Sequence, residues 1–75
     1  MGVDLKKANL IMSNLKGANL REAELSGAFL KRARNLTIEQ LSKVETLYDT
    51  SLDTDLKKEI EDKYPHLLEK PKDEE

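Results

Sequence analysis

The 75-residue chain holds one histidine, no cysteine and fifteen carboxylate side chains, so any chemistry must be sought among these first. His66 follows Pro65 near the C-terminus, with no carboxylate spaced to orient it or to share a metal. It reads as a surface or capping histidine. Asp49, Asp53 and Asp55 fall at close intervals, as in a calcium loop. The glycine that turns such a loop and the bidentate glutamate that closes it are both missing. These aspartates therefore read as turn and helix-start residues. Glu59, Glu61 and Asp62 read as a solvated helix face. No glycine-rich phosphate loop, no nucleophile beside a base and no metal cluster can be assembled. An enzyme is not expected, and neither is a cofactor or a small-molecule substrate.

The charge is divided between the halves. Residues 1–36 carry seven basic groups against three acidic ones, a net of +4, and residues 37–75 carry a net of −6. Phe29 is the one aromatic residue among the basic groups of that half, and nothing else suggests base contact, so nucleic-acid binding is not expected. No apolar run approaches a membrane span and no signal-peptide pattern is present. With no cysteine to form a disulfide, the expectation is a cytoplasmic, non-membrane chain.

What remains is a spacing. Leu5, Leu10, Leu15, Leu20, Leu25 and Leu30 recur every five residues. A helix turns about 100° per residue, so a step of five scatters side chains around its axis. A strand alternates faces at each residue, so the same step sends successive leucines to opposite sides. Neither element explains the period, and a fixed period outside both templates marks a repeat architecture. The units are VDLKK, ANLIM, SNLKG, ANLRE, AELSG and AFLKR, with Ala33-Arg34-Asn35 beginning a failing seventh. The residue two before each leucine is Val3, Ala8, Ser13, Ala18, Ala23 or Ala28, always small or β-branched.

These units resemble the pentapeptide-repeat family, whose consensus is A(D/N)LXX. The resemblance implies a β-solenoid: a short right-handed quadrilateral β-helix of about one and a half coils, one pentapeptide per side. Every central leucine then points to one axis beside a small residue, so the expected core is Leu5, Leu10, Leu15, Leu20, Leu25 and Leu30 with Ala8, Ala18, Ala23 and Ala28. The expected solenoid covers residues 3–36.

After Leu36 the pattern changes. Thr37-Ile38-Glu39-Gln40 is a capping box, and Ile38, Leu41 and Val44 share a helical face, predicting a short helix near 38–45. Leu47-Tyr48 and the polar stretch 49–55 read as a connection. Leu56, Ile60 and Tyr64 predict a second helix from Thr54, ended by Pro65. The whole of 37–68 is expected to form a C-terminal helical cap over Leu25 and Leu30. Residues 69–75 lack the apolar content to stay ordered and are expected to form a disordered tail.

Six units are few for a free-standing solenoid, which generally needs about three or more repeat layers. The first coil should expose unpaired backbone edges, and an open strand edge recruits another chain. This suggests a homodimer meeting end to end, or the C-terminal end of a longer solenoid. Phe29 should stack over Asn9, and Ile11 and Met12 should lie beside Lys31 and Arg32, which gathers three outward apolar residues on one side. Such a cluster suggests an interface, to be covered by a protein partner, a second copy or the C-terminal helix. The expected function is a non-catalytic protein-interaction or scaffolding module that self-associates. The alternative, by family analogy, is a DNA-mimicking modulator of a type II topoisomerase (gyrase). A mimic needs a sustained negative stripe, which the basic repeats do not supply.

Overall fold

A computed structural model describes residues 2–70. The leucine period is built as a repeated corner. The carbonyls of Leu5, Leu10, Leu15, Leu20, Leu25 and Leu30 each accept the N–H of the residue three positions on, at 3.0–3.1 Å. The residue before each donor has a positive φ: Lys7, Met12, Gly17, Glu22, Gly27 and Arg32 lie between 60° and 71°. That is a β-turn with a left-handed third residue. A short extended side and one such turn together consume five residues, so each leucine begins a corner and points the same way.

Four sides close one circuit. Asp4 pairs in parallel with Glu24, Asn9 with Phe29 and Asn14 with Arg34, each twenty residues apart. Side one thus stacks 23–27 on 3–7, side two stacks 28–32 on 8–12, and side three sets Arg34 against 13–17. The rungs are backbone bonds such as Leu10 N–H to the Phe29 carbonyl at 2.8 Å and Phe29 N–H to the Ala8 carbonyl at 2.9 Å. In the first coil Asp4, Asn9, Asn14 and Asn19 each use a side-chain oxygen to accept the N–H two residues on, at 3.1 Å. This local bond explains why a short acceptor side chain precedes each leucine there.

Side four of the second coil is replaced by helix α1, Ile38–Leu41. The capping box at its start is complete: Gln40 N–H donates to Thr37 Oγ1 at 3.1 Å, and Thr37 N–H donates to Gln40 Oε1 at 2.9 Å. Gln40 has a second task. Its Nε2 donates to the carbonyls of Leu15 and Ala18 at 2.9 and 3.1 Å. On the other sides the carbonyls of Val3, Ala8 and Ser13 are taken by backbone N–H groups of the next coil. A side-chain amide therefore stands where α1 leaves the ladder without a backbone donor.

α1 is shorter than the 38–45 expected from its periodicity, because the chain turns back to pair. Lys43 offers its carbonyl to Glu22 N–H at 2.7 Å, and Glu45 N–H bonds the Ala23 carbonyl at 2.9 Å. Pairing then continues where the sequence suggested only a connection. Glu24 pairs with Thr46 and Phe29 with Ser51, now twenty-two residues apart. Leu47 forms another corner to Thr50, with Asp49 at φ 60°. Residues 45–49 and 50–53 are thus a third layer on sides one and two, with Leu47 above Leu25 and Leu52 above Leu30. Leucine still occupies the centre of each unit, and Thr50 holds the small-residue position. Its buried hydroxyl donates to the Leu25 carbonyl at 2.6 Å.

Helix α2, Thr54–Lys63, starts where this layer ends. Asp53 stands at its N-cap, and both carboxylate oxygens take Arg32 N–H at 3.1 Å. The carboxylate replaces the next-layer carbonyl that such an N–H meets elsewhere. The 3₁₀ turn Pro65–Leu68 follows, and Leu67 offers its carbonyl to Leu47 N–H at 2.8 Å. Ile60 and Leu67 are buried in one cluster with Leu41, Leu47 and Leu52. Of the expected tail, 71–75 lies outside the described residues.

Candidate functional site

Among the residues expected to form the core, Leu20, Ala23, Leu25, Ala28 and Leu30 are buried. Leu5, Leu10, Leu15 and Ala18 are partly buried and pack against that cluster, and Ala8 is half-buried. The difference follows from position. Leu25 and Leu30 have a layer on both sides, whereas Leu5, Leu10 and Leu15 have one only on the side of the second coil.

The free edge of the first coil is a backbone feature. In each parallel rung the neighbours of Asp4, Asn9 and Asn14 bond upward, so the N–H and C=O of these three residues point the other way. Among the described residues, none of those groups has a backbone partner, nor do those of Asn19. The edge has a donor and an acceptor on each of four sides, around the partly buried Leu5, Leu10 and Leu15 and the buried Leu20. At the opposite end Leu47 N–H meets the Leu67 carbonyl of the 3₁₀ turn, and Arg32 N–H meets the carboxylate of Asp53 at the start of α2.

The lateral cluster lies beside this edge. Phe29 is stacked on Asn9 and is 43% exposed; Ile11 and Met12, at the corner that follows Asn9, are 47% and 59% exposed. α2 does not cover them. Val3 is a fourth exposed large apolar side chain, at 47%. Sequence reasoning placed it in the inward register. That register buries a residue only when a layer lies beneath it, which Val3 lacks. A basic rim surrounds the cluster, with Lys6, Lys7, Lys31 and Arg32 all exposed.

The residues considered for chemistry are dispersed. His66 is exposed in the 3₁₀ turn, Asp49 occupies a corner, Asp53 holds Arg32 N–H and Asp55 sits in the first turn of α2. Among the described residues, no group of three or more His, Asp or Glu side chains is placed to hold a metal ion. A recess of about 590 Å³ lies between the third layer and α2 and is lined by Lys31, Asp49, Ser51, Thr54, Lys57 and Lys58 among others. It is open and of mixed charge, and it brings no nucleophile to a base. No described helix is long and apolar enough to cross a membrane.

A family model described as pentapeptide repeats (8 copies) matches residues 1–34. That segment is therefore a run of pentapeptide repeats, a repeat type that in general forms solenoids and is generally non-enzymatic. Searches of curated proteins and of solved structures return no match. The matched segment ends at Arg34, so the third layer at 45–53 lies outside it.

Proposed function

We propose that the chain is a non-catalytic interaction module that binds a second copy of itself through the first coil. Its frame is a short right-handed quadrilateral β-helix, with an edge of the first coil unpaired among the described residues and the other end capped by α2 and the 3₁₀ turn. One observation carries the reading: the outward N–H and C=O groups of Asp4, Asn9, Asn14 and Asn19 lack backbone partners among the described residues. Such an edge is a template for pairing with another chain. A surface that satisfies it must offer donors and acceptors on four sides at the same spacing, which the same coil of another copy does. Ile11 and Met12 stand on the rim of this edge and extend the contact outward, while Phe29 adds an apolar flank one layer away. The basic exposed sides give no support to mimicry of a DNA duplex.

Sedimentation equilibrium across a wide concentration range tests the reading. The expected result is a reversible monomer–dimer equilibrium with no larger species. A chain that stays monomeric at the highest soluble concentration, with its circular dichroism intact, overturns it. Phe29→Asp separates the two surfaces: if the edge alone holds the dimer, dimerisation survives this change.

A further inference from the structure

We infer that the two copies meet head to head about a two-fold axis that crosses sides two and four, setting Asn9 against Asn9 and Asn19 against Asn19 of the second copy. This rests on the self-association just proposed and adds its register. The inference starts from direction. Two coils of the same hand that face each other by a two-fold rotation run in opposite senses around the shared edge. Facing sides therefore pair antiparallel, although every rung within the chain is parallel. The outward groups of Asp4, Asn9, Asn14 and Asn19 then form antiparallel pairs that exchange both N–H···O bonds, about two per facing pair.

A four-sided edge admits four such settings, and charge separates them. Across antiparallel strands, like charges directly opposite are destabilising. An axis through sides one and three sets Asp4 against Asp4 and Lys7 against Arg21. An axis through the corner between sides one and two sets Lys6 against Lys7. An axis through the corner between sides two and three sets Lys7 against Lys16. The axis through sides two and four places no like charges directly opposite. It pairs Asp4 with Asn14 on both remaining sides, sets Ile11 against Lys7 and Met12 against Lys6, and sets Arg21 against Gly17. Lysine stems cover apolar surface while their ammonium groups stay in water. Two of the three exposed large apolar side chains of the first coil thus gain a cover. Lys6 already has Glu24 of its own chain 3.8 Å from its Nζ, so part of its charge is answered before contact.

The closed end makes the assembly finite. Leu47 N–H, which faces beyond the third layer, is taken by Leu67, and Asp53 takes Arg32 N–H. Helix α2 and the 3₁₀ turn cover much of this end and interrupt its ladder, which disfavours head-to-tail stacking, so an isologous pair closes without growing into a fibre.

Cysteine scanning on this cysteine-free chain tests the register. Residues in a hydrogen-bonded antiparallel pair have Cα atoms about 5.5 Å apart, within disulfide reach. Asn9→Cys and Asn19→Cys are each expected to shift to a covalent dimer with oxidised glutathione. Asp4→Cys and Asn14→Cys are each expected to stay monomeric on a non-reducing gel, and their equimolar mixture to form the mixed dimer. Each replaces an exposed side chain at a repeated position, and the two self-pairing variants check one another if one fails to fold. Efficient cross-linking of Asn14→Cys with itself, and not of Asn9→Cys or Asn19→Cys, overturns the proposed register. In that outcome self-association stands, whereas a monomer in sedimentation removes both.

Discussion

Leu5 and Leu47 occupy the same place in the five-residue unit and lie on the same side of the coil, two layers apart. Leu5 is only partly buried, whereas Leu47 is fully buried and its N–H is taken by Leu67. The residue, its turn and its direction are equivalent, so the difference lies in what each meets along the axis. At the closed end α2 and the 3₁₀ turn supply both apolar cover and an acceptor. At the open end neither is present among the described residues. Burial in a solenoid is thus a property of the layer, set by neighbours rather than by the unit's own sequence.

The sharpest way to break that comparison is to cut the same side chain at different layers. Leu25→Ala, in the middle layer, should cost about 3–4 kcal/mol, because its surroundings cannot collapse from either side. For a domain whose stability is on the order of 4–11 kcal/mol at typical values per residue, much of that margin is lost. Leu5→Ala, with one face open, should cost about 1 kcal/mol, since part of its surface already meets water. Urea titration followed by circular dichroism reads both, and equal losses would show that the ends are not different in kind.

Gln40→Ala tests the junction where the ladder is interrupted. It removes the reciprocal half of the capping box and the donor to Leu15 and Ala18, with an expected loss of about 2 kcal/mol. Thr37→Ala removes the cap alone and should cost about 1 kcal/mol. The excess for Gln40 measures what its Nε2 does for the first coil. Thr50→Val comes next. It deletes the buried hydroxyl on the Leu25 carbonyl at a cost of about 1 kcal/mol. The loss is limited because that carbonyl keeps the N–H of Ala28. Gly17→Ala is expected to have the smallest effect, about 1 kcal/mol or less. A methyl group there meets nothing within 4 Å, so only the left-handed backbone at φ +71° resists it. Five other corners in the first two coils already carry non-glycine residues or glycine at the same φ, which makes the site a direct comparison.

Much of the first two coils is readable in the leucines. Five-residue spacing excludes helix and strand, and the small residue two places earlier marks the inward register of Ala23 and Ala28. The helical segments are readable for a different reason. Thr37 and Gln40 bond each other across one turn, and Leu56, Ile60 and Tyr64 follow helical spacing, so both signals are local. The third layer was not readable in the same way. Leu47 and Leu52 are also five apart, but their units stand twenty-two rather than twenty residues beyond the previous layer. The two extra residues are consumed by α1 and its turn, which breaks the phase. Glu45, Thr46, Asp49, Thr50, Ser51 and Asp53 around them have the polar composition of a loop. The outward direction of Ile11, Met12 and Phe29 was legible from their places in the unit, but whether α2 would cover them was not. That depends on where α2 docks, and α2 docks on Leu47 and Leu52.

The sequence by itself determined the corner. Leucine, two turn residues and a small residue on a five-residue cycle can bury one side chain per unit only if the chain bends at every unit. It determined the capped start of α1 for the same reason, since both are bonds between residues a few positions apart. Only the tertiary structure decided how many layers each side holds and which end α2 and the 3₁₀ turn cover. Those outcomes rest on contacts twenty or more residues apart: Asp4 with Glu24, Gln40 with Ala18, Phe29 with Ser51 and Leu47 with Leu67. A local pattern can specify how the chain turns, but the number of turns that find a partner is settled when the layers meet.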